Sequence, residues 1–490
     1  MTTDPIARLS NASLADLKAS VIRPSYNRAE TSVGVLHFGP GAFHRGHQAV
    51  YFDQMLSHDP SLAISAVSLH SDAVRQALAP QDGLYSLIER EAEPTVRVIG
   101  SVREILTAPR SAEAVLTRLA DPALRFVTAT VTEKGYCLTP DGQLDLDHPL
   151  VMKDLSGKGP KQTLPGWLFE GLRRRHRAGL NGLPVISCDN LSGNGDGLGA
   201  SMVAYAKAAG DINLAQWISD EVRFPNTMVD SITPATDESL RAVAAECLGV
   251  IDAWPIQRER FTQWVVADQL SEADSETFQS AGVTLTGDVA AFERAKLRLL
   301  NGAHSTLAYV GLAMGYESVS QAMADPRLAA FIERMMRQDI IPSLNATRGL
   351  DLEVYVGQIL ERFRNPAIVH KLSQIACDGS QKLPVRLLET IAQALAKGRP
   401  IHRLVVGVAA WMHFIRRQSQ ASTPIIDPMW QRLTELSLAC TGEPAPDVGA
   451  FLTLESVFVQ QLAANTHLRS ALETAYGHMR DGQWDLALPM

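Results

Sequence analysis

VGVLHFGPGAFHRGHQAVYFDQML, residues 33–56, is the stretch of this sequence that decides its fold. The apolar run 33–38 predicts a buried strand, and the pattern of residues 48–56 predicts a helix. The glycine-rich segment between them predicts a tight turn. A strand, a glycine turn and a helix in this order make up a dinucleotide site, because glycine lets the backbone approach a pyrophosphate at the helix N-terminus. His44 stands where the usual motif has its third glycine, so the motif alone is weak evidence for a dinucleotide site.

Three more segments predict strands that end in polar loops: 63–69, 125–131 and 184–188. Segment 224–230 leads into a further loop and places Asp230 there. Ligands of open α/β sheets bind outside the carboxyl ends of the strands. We therefore expect the loops after residues 38, 69, 131 and 188 to line one crevice. Residues 1–285 are predicted to form a Rossmann-like, doubly wound α/β domain that binds a dinucleotide.

Polar residues in these loops are candidates for ligand contacts. Arg45, after the first strand, offers a charge-assisted contact to a phosphate. Asp72, after the second, is a candidate for the ribose hydroxyls, and the alternative is that it caps a helix. No arginine stands at the end of that strand, which favours NAD over NADP. Asn190, after the fourth, is placed to donate to a substrate oxygen, and the alternative is an ordinary turn residue.

The helical period dominates from residue 288 onward, so residues 286–490 are predicted to form a mostly α-helical substrate and catalytic domain. The segments predicted to be helices are 291–314, 319–323, 326–339, 352–363, 366–377, 383–397, 402–418 and much of 430–476. Segment 377–384 is predicted to be a loop that offers Lys382 as a charge, with Arg386 one turn into the next helix. The alternative for both side chains is solvation on the surface.

The segment AKLRLLNGAHSTLAY, residues 295–309, places one lysine, one asparagine and one histidine in an apolar helical pattern. At about 100° per residue, Lys296, Asn301 and His304 share one side of the helix. A lysine on an apolar helix is costly to bury unless it is paired or neutral, and a base with a lowered pKa suits proton transfer at neutral pH. The alternative is that Lys296 extends to water, Asn301 lies on the surface and His304 packs in the core.

The composition is that of an ordinary globular protein: 490 residues, 46% hydrophobic and 20% charged, with a formal net charge of −8. Basic residues are not clustered enough for a general nucleic-acid surface. The five cysteines are widely spaced without a CxxC pair, so neither a disulfide framework nor a zinc site is indicated. The sequence has no apolar signal-peptide core and no run of membrane-span length. We expect a cytoplasmic protein that uses no metal and has neither a membrane nor a nucleic acid as partner.

Seven motifs together give a specific family resemblance. They are HFGPGAFHRGHQAVYFDQML (37–56), TVTEKGY (130–136), SCDNLSGNG (187–195), TMVDSITP (227–234), KLRLLNGAHSTLAY (296–309), NPAI (365–368) and DGSQKLP (378–384). Over nearly the whole chain the sequence resembles the polyol-specific long-chain dehydrogenases/reductases. The Lys-x₄-Asn-x₂-His pattern of Lys296, Asn301 and His304 matches the catalytic signature of that family.

The resemblance implies zinc-independent transfer of a hydride between nicotinamide and C2 of an acyclic sugar chain. It implies that Lys296 is the general acid/base, and that Asn190 and Asn301 donate to the developing alkoxide. His304 would orient a substrate oxygen, and Asp230 would hold another substrate group.

The resemblance also implies a cofactor, which we expect to be NAD, and a set of substrate contacts. Lys382 would hold part of the substrate, and Arg386 is a further candidate. The candidate cofactor residues are Gly39, Gly41, Ala42, Phe43, Arg45, Asp72, Thr132, Glu133 and Asp189.

The substrate is predicted to be a sugar acid, fructuronate or mannonate. Segment DGSQKLPVRLL resembles the enzymes of the family that act on these sugar acids. The mannitol enzymes of the family tend to have arginine where Gln374 stands, which also favours a sugar acid. A carboxylate needs a cation, which Lys382 or Arg386 supplies. Mannitol/fructose and arabinitol/xylulose are the alternative substrate pairs.

Two alternatives belong to other classes. A nicotinamide-sensing regulator would bind the cofactor without chemistry, but a sensor needs no proton-transfer group such as Lys296. A methyltransferase would leave the lysine helix and the second glycine-rich loop unexplained. The sequence does not determine the oligomeric state, for which a monomer is slightly favoured.

Overall fold

The computed structural model describes residues 7–488 of the chain. The chain divides into two compact units, one that ends at Ala290 and one that begins at Ala291, a few residues after the boundary suggested by the sequence. The first unit is α/β and the second is helical, so the predicted fold class is confirmed.

The strands of the first unit are short. They are β1 (Val33–Phe38), β2 (Ala63–Ser68), β3 (Tyr85–Glu89), β4 (Thr95–Ile99), β5 (Val102–Thr107), β6 (Phe126–Ala129), β7 (Val185–Ser187), β8 (Thr227–Asp230), β9 (Ile256–Arg258), β10 (Gln263–Ala267) and β11 (Thr284–Thr286). A parallel five-stranded sheet has the order β5-β2-β1-β6-β7, in which the chain spreads from β1 to both sides, as in a Rossmann fold. Two three-stranded sheets, β11-β10-β8 and β4-β3-β9, complete the unit.

The helices of the first unit connect these strands. They are α1 (Ala42–Gly46), α2 (Gln48–Met55), α3 (Ala73–Leu78), α4 (Ala112–Leu119), α5 (Pro149–Leu155), α6 (Leu164–Arg177), α7 (Asn194–Ala208), α8 (Ile212–Glu221), α9 (Glu238–Leu248) and α10 (Glu272–Ser280). Short 3₁₀ turns occupy Leu14–Asp16, Arg28–Glu30, Ala79–Gln81 and Glu133–Tyr136.

The five-stranded sheet is apolar on both faces, because each face is covered. Leu36 and Phe38 of β1 enter one core cluster, whereas Val35 enters the other. Phe38 lies opposite Ala129 of β6, and Ala129 lies opposite Ser187 of β7. The loops that follow β1, β6 and β7 therefore begin at one edge of the sheet.

The second unit consists of helices. They are α11 (Val289–Ala295), which contains the boundary, α12 (Ala303–Ala313), α13 (Val319–Ala324), α14 (Pro326–Arg334), α15 (Leu352–Arg364), α16 (Leu372–Ile375), α17 (Gly379–Leu383), α18 (Glu389–Ala396), α19 (Leu404–Gln420), α20 (Trp430–Leu438), α21 (Pro444–Phe451), α22 (Gln460–Ala463), α23 (Thr466–Arg480) and α24 (Trp484–Ala487). Segments Lys296–Gly302, Met335–Ile340 and Pro384–Leu388 are π-helical, and Ile341–Ser343 is a 3₁₀ turn. Among residues 7–488, no helix is long and apolar enough to cross a bilayer.

Two predictions for the second unit were wrong. Residues 366–371 are not helical, because the backbone there pairs elsewhere: Val319 N donates to His370 O, and Lys371 forms a β-bridge with Ser318. Segment 377–384 is not a loop, since α17 occupies Gly379–Leu383 and continues into the π-helical segment Pro384–Leu388. Pro384 has no N–H to donate, and the wider π turn accommodates that loss.

Candidate active site

The glycine turn after β1 is built around Gly39. Its φ is +88°, and a Cβ there would lie 2.1 Å from the carbonyl oxygen of Thr130, so a side chain does not fit. Gly39 N donates to Val67 O (2.9 Å), which ties the turn to the next strand. Gly41 is exposed, and the nearest atom to a Cβ built on it, Gly39 O, is 3.9 Å away. The turn therefore leaves open space beside Gly41, as a bound phosphate requires.

The segment that follows the turn is more helical than predicted. Residues 42–46 form the one-turn helix α1, which the backbone of His47 (φ −127°, ψ −93°) separates from α2. Ala42 and Phe43 are half-buried in the first turn, and the Phe43 ring stacks on His47 at 4.9 Å.

Arg45, the candidate for a phosphate contact, is buried inside the first unit. The residue is 1% exposed, its Nη1 donates to Trp254 O (3.0 Å), and its guanidinium lies over the Trp254 ring. Burial lowers the pKa of Arg45 to about 10, so the side chain is still charged at neutral pH. The guanidinium is held by a carbonyl and by aromatic rings inside the first unit, and its contact to a phosphate stays a prediction.

Two histidines support the glycine turn, and the sequence reading missed them. His37 Nδ1 lies 2.7 Å from Thr128 Oγ1, and its Nε2 lies 3.0 Å from Thr130 Oγ1 and 3.2 Å from Gly39 O. The His44 ring stacks on His37 with 3.3 Å between centroids. Burial lowers the pKa of His37 to about 3, which keeps the ring neutral. The sequence contained a signal for these two residues, since one histidine precedes the glycine pair and the other follows it.

Asp72 lies just before α3 and makes no capping hydrogen bond to that helix. Its carboxylate instead accepts from Arg75 Nε (2.8 Å) and from Thr107 Oγ1 (2.5 Å), with Arg110 Nη1 at 3.5 Å. The Arg75 hydrogen bond and then the Thr107 hydrogen bond hold the pKa of Asp72 well below its usual range. The fold thus brings two arginines, Arg75 and Arg110, to Asp72, although the strand end itself carries none. A ribose hydroxyl that binds Asp72 would share its carboxylate with these arginines.

Asp189 organises the loop that carries Thr132 and Glu133. Its Oδ2 accepts from Val131 N (2.8 Å) and from Tyr136 Oη (2.7 Å), and its Oδ1 accepts from Thr132 N (3.1 Å). Thr132 has φ +63° and is exposed, as is Glu133. Burial raises the pKa of Asp189. The structure therefore gives Asp189 a positioning role and leaves Thr132 and Glu133 accessible at the strand ends.

Asn190 and Asp230 belong to different sheets. Asn190 is exposed in the loop after β7, at the carboxyl edge of the five-stranded sheet. Asp230 is the last residue of β8, is 6% exposed and lies opposite Gln263 of β10.

Lys296 opens a π-helical segment rather than continuing an α-helix. It is 8% exposed, and the segment ends at Gly302, directly before α12. In a π-helix the hydrogen bonds run from i to i+5, so a residue five positions along lies about one turn away. The angle around the helix axis between Lys296 and Asn301 is therefore smaller than in the predicted α-helix. Asn301 and His304 are half-buried.

His304 is surrounded by rings and basic groups of the same unit. Its ring stacks on Phe363 at 5.2 Å and meets His370 edge-on at 4.6 Å. Burial, followed by the charges of His370, Arg386, Arg362 and Lys382, lowers the pKa of His304 well below its ordinary value. Its Nε2 is buried and has no hydrogen-bond partner within residues 7–488. A neutral ring with an unused nitrogen is suited to a substrate hydroxyl or carbonyl oxygen.

Lys382 and Arg386 both lie on helical segments near His304. Lys382 Nζ donates to Cys377 O (2.6 Å) and lies 4.0 Å from Asp378 Oδ2. Arg386 Nη1 donates to the hydroxyl of Ser305, the neighbour of His304 (2.9 Å). Burial, then the charge of Arg386, lowers the pKa of Lys382, and burial lowers that of Arg386.

Gln374 is exposed on α16.

Within the described part of the chain, no group of three or more His, Cys, Asp or Glu side chains is arranged to hold a metal ion.

Comparisons with known proteins identify the family. Residues 33–278 match the family model for the mannitol dehydrogenase Rossmann domain, and residues 288–480 match that for the mannitol dehydrogenase C-terminal domain. The chain is 37% identical to a mannitol 2-dehydrogenase of Aspergillus fumigatus, with 97% of each chain covered. It is 38% identical to the D-mannonate oxidoreductase of Escherichia coli, with 94% of this chain and 96% of that one covered.

A solved structure agrees with these matches. The mannitol 2-dehydrogenase of Pseudomonas fluorescens, in a ternary complex with NAD and D-mannitol, superimposes with a TM-score of 0.80 at 34% identity, covering 98% of both chains. Both family models and full-length relatives above 30% identity lead to one conclusion: the chain belongs to the mannitol dehydrogenase family.

Proposed function

We propose that this protein is an NAD-dependent oxidoreductase that interconverts a 2-keto sugar acid and its C2 alcohol, with fructuronate and mannonate as the favoured pair. The observation that carries the proposal is the Lys296, Asn301 and His304 set, on a π-distorted helix inside a family of polyol and sugar-acid enzymes. The basic surroundings of His304 favour an acid over a neutral polyol.

The first unit fits NAD. Gly39 allows the tight turn, Gly41 leaves space for phosphate, and Thr132 is exposed in the loop after β6. The family member from Pseudomonas fluorescens was solved with NAD bound. Bound NAD would accept or donate the hydride, and Asp189 would keep the Thr132 loop in its binding shape.

The second unit supplies proton transfer. Lys296 would take the proton of the C2 hydroxyl in oxidation and return it to the carbonyl oxygen in reduction. Asn301 would donate to the developing alkoxide, and His304 Nε2 would hold a neighbouring substrate oxygen. A second donation by Asn190, a residue of the first unit, stays a prediction. Lys382 and Arg386 would hold the far end of the substrate. The substrate contact of Asp230, a residue of the first unit, stays a prediction.

Proton transfer by Lys296 makes the proposed reaction independent of zinc. We expect full activity after exhaustive EDTA treatment. Activity that is lost on chelation and returns only with zinc would overturn this part of the mechanism.

A second candidate is mannitol 2-dehydrogenase activity. The relative from Aspergillus fumigatus and the solved structure with bound D-mannitol favour it. Here the same Lys296 would act on the C2 hydroxyl of a neutral polyol, and the basic groups near His304 would have no carboxylate to bind.

A substrate panel tests the proposal. The purified protein is assayed by NADH absorbance with fructuronate and fructose in reduction, and with mannonate, mannitol, arabinitol and sorbitol in oxidation, each with NAD and NADP cofactors. The highest kcat/KM is expected for the sugar acids with NAD or NADH. A preference for mannitol would select the second candidate, and cofactor binding without turnover of any substrate would favour a regulator.

A further inference from the structure

The start of α17, the helix that carries Lys382, takes its acceptor from a distant part of the second unit. Asp378, the residue before the helix, has φ +56°, in the left-handed region, and its side chain makes no capping hydrogen bond. The first N–H groups of a helix need acceptors that the helix itself does not supply. Ser380 N finds one at Asp427, 47 residues further along the chain, whose Oδ2 accepts at 2.9 Å.

Asp427 binds Ser380 through both carboxylate oxygens. Its Oδ1 accepts from Ser380 Oγ at 2.5 Å and also from Met429 N at 2.9 Å. Asp427 is 7% exposed and Ser380 is 3% exposed. Hydrogen bonds to a carboxylate are stronger than those between two neutral groups. The pair therefore forms a firm link between α17 and the segment before α20.

Two further contacts hold the same helix start. Asp378 N donates to the carbonyl oxygen of Ile426, the neighbour of Asp427, at 2.8 Å. A Cβ on Gly379 would lie 2.5 Å from Trp411 Nε1, so glycine is needed for this close approach of α17 to α19. The backbone at the start of α17 is therefore held both by the segment around Asp427 and by α19.

The position of Lys382 depends on this helix start. Lys382 N donates to Asp378 O at 3.0 Å, and Lys382 Nζ donates to Cys377 O at 2.6 Å. Both acceptors are backbone carbonyls of the two residues that precede α17. A shift of the helix start would therefore move the ammonium group together with the backbone.

We propose that Asp427 is a positioning residue for substrate binding: through Ser380 it fixes the start of α17 and thereby the place of the Lys382 ammonium group. The inference rests on the proposed function, in which Lys382 holds the far end of the substrate. Asp427 acts through α17 and is not itself a substrate contact. Its loss therefore weakens substrate binding more than it slows the chemical step.

Steady-state kinetics of the full-length protein with NADH and fructuronate test this role. Asp427→Ala removes the acceptor and is expected to raise KM for fructuronate by about fivefold or more, with kcat and the Kd of NADH within about twofold. Asp427→Asn keeps one acceptor oxygen, so its KM should lie between those of wild type and Asp427→Ala. Adding Ser380→Ala to Asp427→Ala should raise KM no further, because both residues act through one contact.

Asp447 provides the matched control, since it is also a buried carboxylate that accepts from two backbone N–H groups and a hydroxyl. Its donors are Thr441 N (2.9 Å), Gly442 N (2.9 Å) and Tyr476 Oη (3.0 Å), none of which belongs to α17. Asp447→Ala should lower Tm, as Asp427→Ala does, but leave KM for fructuronate within about twofold. Equal rises of KM in the two variants, or an unchanged KM in Asp427→Ala, would overturn the positioning role.

Hydrogen exchange tests the link to α17 without any substrate. Amide exchange of peptides that cover residues 378–388 is measured by mass spectrometry in wild type and in the two alanine variants. Asp427→Ala should speed exchange in these peptides by about tenfold or more, and Asp447→Ala should not. Unchanged exchange in Asp427→Ala would overturn the link, whether or not the enzyme turns over fructuronate.

The variant Lys382→Ala separates this inference from the proposed substrate contact. If Lys382→Ala raises KM for fructuronate and Asp427→Ala does not, the role of Asp427 is wrong and the contact of Lys382 stands. If Lys382→Ala keeps the wild-type KM, the substrate contact of Lys382 is wrong, and the role of Asp427 in substrate binding is wrong with it. Raised KM in both variants, with the exchange result above, supports the inference.

Discussion

At the residue scale, the two glycines of the turn after β1 have different tasks. Gly39 is required by conformation, because its φ is +88° and a Cβ would meet the Thr130 carbonyl oxygen at 2.1 Å. Gly41 has an ordinary φ of −71°, and nothing lies within 3.9 Å of a Cβ built there. One glycine maintains the fold of the turn, and the other keeps space open for a ligand.

These two positions form a matched pair of variants. Gly39→Ala is expected to destabilise the protein by about 1–3 kcal/mol, from backbone strain and overlap, and to lower Tm by several degrees. Gly41→Ala should leave Tm nearly unchanged and weaken NADH binding, because its methyl group occupies the phosphate space. Thermal unfolding and NADH fluorescence titration measure the two effects. A lower Tm for Gly41→Ala than for Gly39→Ala would contradict this division.

Residue-level sequence reasoning succeeded where local geometry decides and failed where tertiary contacts decide. The tight turn at Gly39 follows from residue type alone. The burial of Arg45 was not foreseen, because its guanidinium donates to Trp254 O, more than two hundred residues away in sequence, and its phosphate contact stays a prediction. His37 was missed for the same reason, since its partner threonines lie on β6 and in the loop after it. The roles assigned to Lys296 and its neighbours stay predictions.

At the element scale, the main departure from expectation is the π-helical segment Lys296–Gly302. The apolar period of residues 291–314 predicts a continuous helix, and a helix is present throughout. The local change to i→i+5 bonding leaves no mark in that period. The segment packs against another of the π-helical segments, Pro384–Leu388. A Cβ on Gly302 would lie 2.9 Å from the carbonyl oxygen of Arg386. Gly302 thus permits the close approach of the two segments.

Substitution at Gly302 tests this packing. Gly302→Ala is expected to cost about 1–3 kcal/mol of stability, since two backbones must separate, and to reduce kcat by moving the Lys296 segment. Gly357→Ala, in the interior of α15 with nothing within 4 Å of its Cβ, is the control and should stabilise by about 0.5–1 kcal/mol. Tm and kcat are measured for both. Equal behaviour of the two variants would show that close approach at Gly302 is unimportant.

At the scale of the whole molecule, the division into a Rossmann-like unit and a helical unit was readable from the sequence. Alternation of short apolar runs with glycine loops ends near residue 288, where the helical period takes over. The strand order β5-β2-β1-β6-β7 was not predicted, and neither was the edge strand β5. The smaller sheets were not predicted, because strands of three to five residues carry little periodic signal.

Buried histidines in both units give the molecule a predictable pH dependence. The pKa of His37 is lowered to about 3 by burial, and that of His304 is also lowered by burial. Unfolded histidine titrates near pH 6.5, so the unfolded chain binds more protons below that pH. The contribution of each such histidine to the free energy of unfolding is therefore complete above about pH 6.5. Below that pH it falls by about 1.4 kcal/mol per pH unit for each such histidine.

Measurement of Tm between pH 7 and pH 5 checks this sign. His37→Phe stays neutral at every pH, so its Tm deficit relative to wild type should shrink as the pH falls. His58→Asn, at an exposed position, should follow wild type throughout. A deficit for His37→Phe that stays constant with pH would show that His37 does not contribute to the acid sensitivity.

The central claim, that Lys296 carries proton transfer in an NAD-dependent oxidoreductase, is tested most directly by single-turnover kinetics. NADH-saturated wild type, Lys296→Ala and Lys296→Arg are mixed with fructuronate, and NADH oxidation is followed; a separate titration checks NADH binding. Both variants should react more slowly by a factor of about 10² or more while NADH binds normally, because alanine has no proton and arginine does not release one at neutral pH. A near-wild-type rate of NADH oxidation in either variant would contradict proton transfer by Lys296.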